Sequence, residues 1–157
     1  MENTQNPQAV IDAGAFTVRR TIQISAPLEK VWRTVTEPEL VSQWFGHVTL
    51  TGSGAGALGT IGWPGERRVP IRVETFEPPR EVSYRWCNED GPLPDTVDEA
   101  RSTVFTFTLE AASGGTRLTV VETGFENTSD PAGLMTDHRG GWDAELDKLV
   151  ALLEGQA

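Results

Sequence analysis

The chain has 157 residues, of which 38% are hydrophobic, and this is enough for one domain with one hydrophobic core. It carries 23 acidic residues against 13 basic ones, which gives a formal net charge of −10 at pH 7. Because such a chain repels a phosphate backbone, we expect no nucleic-acid partner.

No segment of the sequence predicts a membrane span. A run of about 18 apolar residues is missing, and the first ten residues have neither the basic nor the apolar region of a secretory signal. We therefore expect a cytoplasmic protein without membrane insertion. The single cysteine, Cys87, excludes an internal disulfide and a CxxC-type metal or redox site. It is interpreted either as a small apolar residue or as a reactive thiol.

The first part of the chain is predicted to be a leader followed by a strand. Residues 1–14 are polar and lack periodicity, which indicates a flexible leader before a single domain that spans residues 15–157. From 16 to 24, apolar residues alternate with polar ones, and this is the period of a half-buried strand.

Two short helices are predicted directly after this strand. Ser25 stands where a helix N-cap is expected, with Pro27 in the first turn, where its missing N–H costs nothing. This helix should reach about Thr36. Pro38 begins the second helix by the same reasoning, and that helix should end within residues 44–46.

The remainder is predicted to form six more strands and one long helix. The strands are expected as two segments within 47–63 and as 68–76, 81–87, 102–110 and 116–125. An acidic loop at 88–100 interrupts them. Asp130 and Pro131 begin a final helix that ends near Glu154. Consecutive strands with helices outside them predict an α+β fold with an antiparallel sheet of seven strands.

Five segments, in this order, carry a resemblance to a known family. They are APLEKVW (26–32), TEPELVSQWF (36–45), VETFEPPREVSYRW (73–86), GGTRLTVVETGF (114–125) and HRGGWDAELDKL (138–149). Over about residues 17–153 the chain resembles the START-like (SRPBCC), Bet-v-type helix-grip superfamily. Within it, the chain is most similar to homologues of the activator of heat shock protein 90 ATPase.

The resemblance implies a fold and a cavity. The fold is a curved seven-stranded antiparallel sheet wrapped around a long C-terminal helix, with two short helices after the first strand. Family members in eukaryotes work beside a second, chaperone-binding domain, and 157 residues leave no room for one. The family is functionally scattered, so the resemblance implies a cavity and not a particular reaction.

Strand alternation and helix spacing predict which large side chains face inward. They are Tyr84, Trp86, Phe105 and Phe107 on the strands and Trp142 and Leu146 on the final helix. Two interpretations stay open. The rings fill a solid core, or they line a pocket with Trp44, Phe45 and Trp63 near its mouth. Gly140 and Gly141, which remove side chains beside Trp142, favour the pocket.

Three polar residues share these inward faces. Arg20, Glu122 and His138 are in phase with apolar neighbours, and burying a polar group without a partner costs about 1–3 kcal/mol. If the first and last strands are neighbours, as in the family, Arg20 and Glu122 come close enough to pair. Alternatively, Arg20 extends outward to solvent. Glu122 and His138 are candidate ligand contacts, and together they can also form an acid–base pair.

We expect a binding protein rather than an enzyme. Its ligand should be a small, largely apolar molecule held between the sheet and the C-terminal helix, with no cofactor and no metal, since HExxH and GxSxG motifs are missing. One alternative is a chaperone-associated protein. Another is a cyclase-like or hydrolase-like enzyme, or a drug-sequestering resistance protein, that uses the same cavity. We expect a monomer or a homodimer.

Overall fold

The computed structural model describes residues 6–88 and 92–155. The strands are β1 (Val10–Asp12), β2 (Thr17–Ile24), β3 (His47–Thr51), β4 (Leu58–Gly62), β5 (Val69–Glu77), β6 (Glu81–Trp86), β7 (Thr103–Ala112) and β8 (Gly115–Thr123). The α-helices are α1 (Leu28–Thr36), α2 (Pro38–Val41) and α3 (Pro131–Glu154). Two 3-10 turns lie at Glu99–Arg101 and Phe125–Asn127.

The strands form one curved, open antiparallel sheet. Their order is β1-β2-β8-β7-β6-β5-β4-β3, so every neighbouring pair except β2 and β8 is also consecutive in the chain. The pairing of β2 with β8 therefore joins the two ends of the domain. The α+β class, the antiparallel sheet, the long C-terminal helix and the two short helices are confirmed, but the sheet has eight strands and not seven.

The additional strand, β1, lies within the predicted leader. Val10 pairs with Arg19 along the edge of β2, and two contacts hold the segment just before it. The backbone N–H of Ala9 donates to Asp143 Oδ1 at 2.7 Å, and Arg20 donates to the carbonyl of Pro7 at 2.7 Å. A strand of three residues is too short to show periodicity, and the partners that hold it are distant in the chain. The sequence pattern therefore does not predict β1. The first five leader residues lie outside the described part of the chain.

The short helices differ from prediction in their ends. The N-cap position of α1 is Pro27, without a side-chain hydrogen bond, so the prediction that Ser25 caps this helix was wrong. The backbone N–H of Ser25 donates instead to Glu154 Oε2 at 2.8 Å, at the far end of the chain. Helix α2 begins at its proline as predicted and ends at Val41, earlier than predicted.

Helix α3 has the predicted start and stop. The Asp130 side chain accepts a hydrogen bond from the backbone N–H of Gly133 at 3.2 Å, Pro131 occupies the first turn, and Gly155 is the C-cap. One stripe of the helix is buried. It consists of Met135, His138, Trp142, Leu146, Leu149 and Leu153.

The core lies between this stripe and the concave face of the sheet. The facing sheet residues are Val82, Tyr84, Trp86, Phe105, Phe107, Leu109, Leu118, Val120 and Glu122, and all of them are buried. The predicted acidic loop follows β6, but its residues Glu89 and Asp90 lie outside the described residues, and its end forms a 3-10 turn. In the described part of the chain, no helix is both long and apolar enough to cross a bilayer.

Candidate functional site

A buried carboxylate organises one end of the core. Glu122, on β8, has no exposed surface, and four side chains donate hydrogen bonds to it. His138 Nδ1 lies 2.8 Å from Oε1 and 2.9 Å from Oε2, and Trp142 Nε1 donates to Oε1 at 2.9 Å. Oε2 accepts from Trp86 Nε1 at 3.0 Å and from Thr103 Oγ1 at 2.5 Å. The carboxylate therefore fixes both indole rings and the imidazole.

Glu122 and His138 form an ion pair inside the protein. Burial alone raises the pKa of Glu122, but the positive charge of His138 and the hydrogen bonds from His138, Thr103 and Trp86 outweigh it and hold this pKa below its ordinary value. Burial lowers the pKa of His138, and the Glu122 charge, a hydrogen bond with the Asn88 backbone and the Asp137 charge outweigh it, so that pKa is raised. Each charge of the pair therefore favours the ionised form of its partner.

Beside this pair, a cleft opens to solvent between the sheet and α3. Its volume is about 400 Å³, within the range that accommodates a small organic molecule. The lining residues are Phe45, Trp63, Glu66, Trp86, Asn88, Asp137, His138, Gly141, Trp142 and Glu145. Glu122 lies directly behind the wall that Trp86, His138 and Trp142 form, because it hydrogen-bonds all three.

Four aromatic rings meet at the cleft. Phe45 is the central ring, with its centroid 5.4 Å from Trp63, 5.8 Å from Trp86 and 5.5 Å from Trp142. Trp63 and Trp142 lie 6.2 Å and 6.4 Å from Trp86. These are favourable separations for aromatic pairs, so the rings support one another as one wall.

The sequence of this chain matches the model of one protein family. The family is described as Activator of Hsp90 ATPase homolog 1-like protein, and the match covers residues 25–154. The chain belongs to this family. No curated protein matches it significantly.

Solved structures support the membership. Protein MLL2253 from Mesorhizobium loti is 28% identical with a TM-score of 0.74, over 90% of this chain and 98% of that one. DynU16, from the dynemicin biosynthetic locus, is 27% identical with a TM-score of 0.72, over 88% of this chain but only 47% of its own length. The Aha1 dimer from Colwellia psychrerythraea shares the fold, with 20% identity and a TM-score of 0.69 over 90% of this chain and 98% of that one.

Within this helix-grip domain, the structure separates the predicted site residues into two groups. Those that line the cleft are Phe45, Trp63, Trp86, His138 and Trp142. Those that do not are Trp44, Tyr84, Phe105, Phe107, Glu122 and Leu146. Of the second group, Glu122 contacts the cleft wall from behind, and Trp44 is buried with its indole N–H donating to the Thr34 carbonyl at 2.9 Å.

The deep cavity expected between sheet and helix is filled. Tyr84 lies 5.2 Å from Phe105, and Trp142 lies 5.1 Å from Phe105 and 5.9 Å from Phe107, between ring centroids. The void beside these rings measures about 10 Å³, too small for a ligand. The interpretation of a pocket enclosed by these sheet rings was therefore wrong. The space lies at the end of the core, where Trp86 and Trp142 form its wall.

The expected pair of Arg20 with Glu122 does not form. Both residues face inward, but Arg20 lies opposite Val120 and Glu122 opposite Val18 in the register of β2 and β8. Arg20 donates to Asp147 Oδ1 at 2.8 Å and to the Asp143 carbonyl at 3.1 Å on α3. The helix therefore provides the partners for both charges, which strand alternation alone does not reveal.

Five cleft residues were not predicted as site residues. They are Glu66, Asn88, Asp137, Gly141 and Glu145. Three of them, on α3, directly precede His138, Trp142 and Leu146, so widening the predicted helix stripe by one position toward the N-terminus finds them. Glu66 and Asn88 lie outside regular elements, where no pattern indicates them.

Among the described residues, no group of three or more His, Cys, Asp or Glu side chains is placed so that it could hold a metal ion. Cys87 is buried, and its sulfur accepts from the Asp98 backbone N–H at 3.3 Å. The chemistry that this site offers is an aromatic wall held by a buried ion pair. Because Glu122 holds Nδ1 of His138 and Asn88 holds the ring as well, proton transfer by this imidazole would first have to break a hydrogen bond.

Proposed function

We propose that this protein binds a small, largely apolar molecule in the cleft between the sheet and α3. The observation that carries the proposal is an open cleft of about 400 Å³ whose wall contains four aromatic rings and Gly141. Apart from its chain neighbours and its own helix backbone, a Cβ on Gly141 would meet no heavy atom within 4 Å, so no packing contact requires glycine there. Glycine inside a helix costs about 1 kcal/mol relative to alanine. Gly141 weakens α3 and leaves the cleft open.

The fixed aromatic wall also supports binding. Trp86 and Trp142 are held by Glu122 and by contact with Phe45, so they do not have to be ordered when a ligand arrives. A preorganised apolar wall with a few polar groups is typical of small-molecule sites and lowers the entropic cost of binding. The origin of DynU16 in a biosynthetic locus agrees with a small-molecule role.

Two glycines of α3 provide a matched test. The variants are Gly141→Leu, which places a side chain in the cleft, and Gly140→Leu, which places one on the helix outside the cleft, where space is also open. Both should gain helix propensity. We expect the neutral fluorophore 6-propionyl-2-(dimethylamino)naphthalene to bind the wild type and Gly140→Leu saturably. Gly141→Leu should bind about tenfold or more weakly, because leucine occupies the space of the dye.

Fluorescence titration of the three proteins, with their denaturant melts, decides the matter. Equal dye affinity in Gly141→Leu and wild type would reject the cleft as the binding site. Equal loss in both variants would indicate a general effect on α3 and would also count against it.

A second candidate function is a role beside a chaperone, which the family description favours. The test is the ATPase rate of the host's ninety-kilodalton heat-shock chaperone with increasing amounts of this protein. If ligand binding is the main function, the rate should not change. Several-fold stimulation that saturates at a stoichiometric ratio, and that persists in Gly141→Leu, would favour the chaperone role instead.

A further inference from the structure

We infer that the ligand of the cleft is an organic cation, such as an amine or quaternary ammonium group on an aromatic or alkyl body. This inference rests on the proposed binding function and names its ligand class. It starts from the charges around the cleft. Glu66, Asp137 and Glu145 line it, and no lysine or arginine does so among the described residues.

The positive charges nearest to the cleft offset these carboxylates only in part. The positive charge of His138 is matched by Glu122 at 2.8 Å, so the pair adds no net charge. Lys148 pairs with Glu145 at 2.9 Å, but its own side chain is 53% exposed and lies outside the lining. Arg67 lines an adjoining hollow that shares Glu66 and Asp137 with the cleft, but Arg67 does not line the cleft itself. The cleft therefore presents a negative potential to an entering molecule.

Glu145 is the carboxylate that gains most from a cation. Its Oε1 is shielded from solvent and lies 2.9 Å from Nζ of Lys148, whose own side chain is 53% exposed. Burial raises the pKa of Glu145, and the hydrogen-bonding and charge of Lys148 only partly offset this. A neutral apolar ligand would remove more water from this carboxylate, while a cation would compensate its charge.

The aromatic wall adds an independent preference of the same sign. Phe45, Trp63, Trp86 and Trp142 all border the cleft, and aromatic rings attract cations through the negative potential of their faces, tryptophan most strongly. An anionic ligand would meet unfavourable charge from both the rings and the carboxylates. The combination of an acidic rim with an aromatic wall selects positive charge on an apolar body.

A pair of isosteric probes separates charge from shape. The first is (3-hydroxyphenyl)trimethylammonium, and the second is 3-tert-butylphenol, in which a carbon atom replaces the charged nitrogen. Calorimetric titration of the wild type should show the cation binding about tenfold more tightly than its neutral isostere. This preference should fall as the salt concentration rises, because the rim carboxylates are solvent-accessible.

Matched variants locate the effect. Glu145→Gln should weaken the cation several-fold and should not weaken 3-tert-butylphenol, because the neutral ligand no longer desolvates a charge, so the ratio of the two affinities should fall. Glu110→Gln is the control, since it removes the same charge from an exposed pair with Arg117 outside the cleft, and it should change neither affinity. A general attraction of cations to an acidic protein would affect both variants alike and would overturn the inference.

The outcomes also separate this inference from the proposed function. If the neutral dye binds in the cleft and the two isosteres bind equally, the cation preference is wrong and the binding function stands. If the dye and both isosteres fail to bind, both proposals fall.

Discussion

Two charged residues, Glu122 and Arg20, are buried against helix α3, but their partners differ in exposure to solvent. Glu122 on β8 is completely enclosed, and in the described part of the chain its four hydrogen-bond donors are side chains. Arg20 on the neighbouring strand β2 is also buried, but its partners Asp143 and Asp147 are 23% and 65% exposed. The first charge therefore has no surface in contact with solvent, while the second is linked to solvent through its exposed partners.

The two buried charges have different roles: Glu122 shapes the cleft wall, and Arg20 only stabilises the fold. The donors to Glu122 include Trp86, His138 and Trp142, which all border the cleft, so its carboxylate determines the shape of the wall. Arg20 donates to the backbone carbonyls of Pro7 and Asp143 and joins the leader to α3. We therefore expect changes at Glu122 to affect both stability and ligand binding, and changes at Arg20 to affect stability alone.

The largest effect is expected for Glu122→Gln. Removing the charge leaves an imidazole without its partner and points an amide NH2 group at N–H and O–H donors, so the variant should lose about 3–5 kcal/mol of unfolding free energy. Urea melts monitored by far-UV circular dichroism measure this. The ligand affinity of the remaining folded protein should also fall, because the amide keeps only one oxygen and one of the two indoles loses its acceptor. A loss below about 1 kcal/mol would mean that the pair is wet.

A smaller effect is expected for Arg20→Met. Methionine keeps the apolar stem of arginine, and the carboxylates left behind can turn to water, so the loss should be about 1–3 kcal/mol. The control Asp147→Asn, at an exposed partner, should change stability by about 1 kcal/mol or less. In the double variant Arg20→Met/Glu122→Gln, the losses should add within about 0.5 kcal/mol. If the loss in the double variant differs strongly from the sum of the single losses, Arg20 and Glu122 interact directly, as the sequence predicted.

The smallest effect concerns pH. The pKa of His138 is raised above its ordinary value of 6.5, so the folded state holds its proton longer than the unfolded state. The stabilisation of the folded state by protonated His138 is complete below pH 6.5 and is lost as pH rises through the folded pKa. The free energy of unfolding then falls by at most about 1.4 kcal/mol per pH unit. The lowered pKa of Glu122 acts oppositely, since its contribution is present above 4.5 and is lost as pH falls through the folded pKa.

Urea melts of wild type and Glu122→Gln between pH 6 and pH 9 check this. The wild type should lose stability with rising pH more steeply than the variant, because burial alone would lower the pKa of His138 once Glu122 is neutral. Parallel curves for the two proteins would contradict the ion pair.

Periodicity was enough to predict much of the site. Alternation along β8 correctly predicted that Glu122 faces inward, and helical spacing correctly predicted His138 and Trp142 on one buried stripe. Both signals depend only on local geometry. The partner of Glu122 was predicted wrongly, because opposite charges on adjacent strands suggested Arg20. The choice depends on strand register and on where α3 crosses the sheet, and neither is a local property.

The cleft itself was harder to predict. Tyr84 and Trp86 lie two residues apart on the same face of β6, yet Tyr84 is packed in the core and Trp86 borders the cleft. The difference arises from where the helix covers the sheet, which is set by the whole fold. Likewise, β1 forms because it pairs with the edge of β2 and because Asp143 on α3 accepts a hydrogen bond from Ala9. The sequence of a three-residue segment does not reveal these distant partners.

The central claim is that ligands bind where Glu122 fixes the aromatic wall, and five tryptophans allow a direct measurement. Of the indole N–H signals in a ¹H–¹⁵N correlation spectrum, those of Trp63, Trp86 and Trp142 belong to the cleft, and those of Trp32 and Trp44 do not. Titration with 3-tert-butylphenol or its trimethylammonium isostere should move the first three along one binding curve and leave the other two in place, with no movement in Gly141→Leu. Movement of the Trp32 or Trp44 signals alone, or of none of the five, would contradict the account.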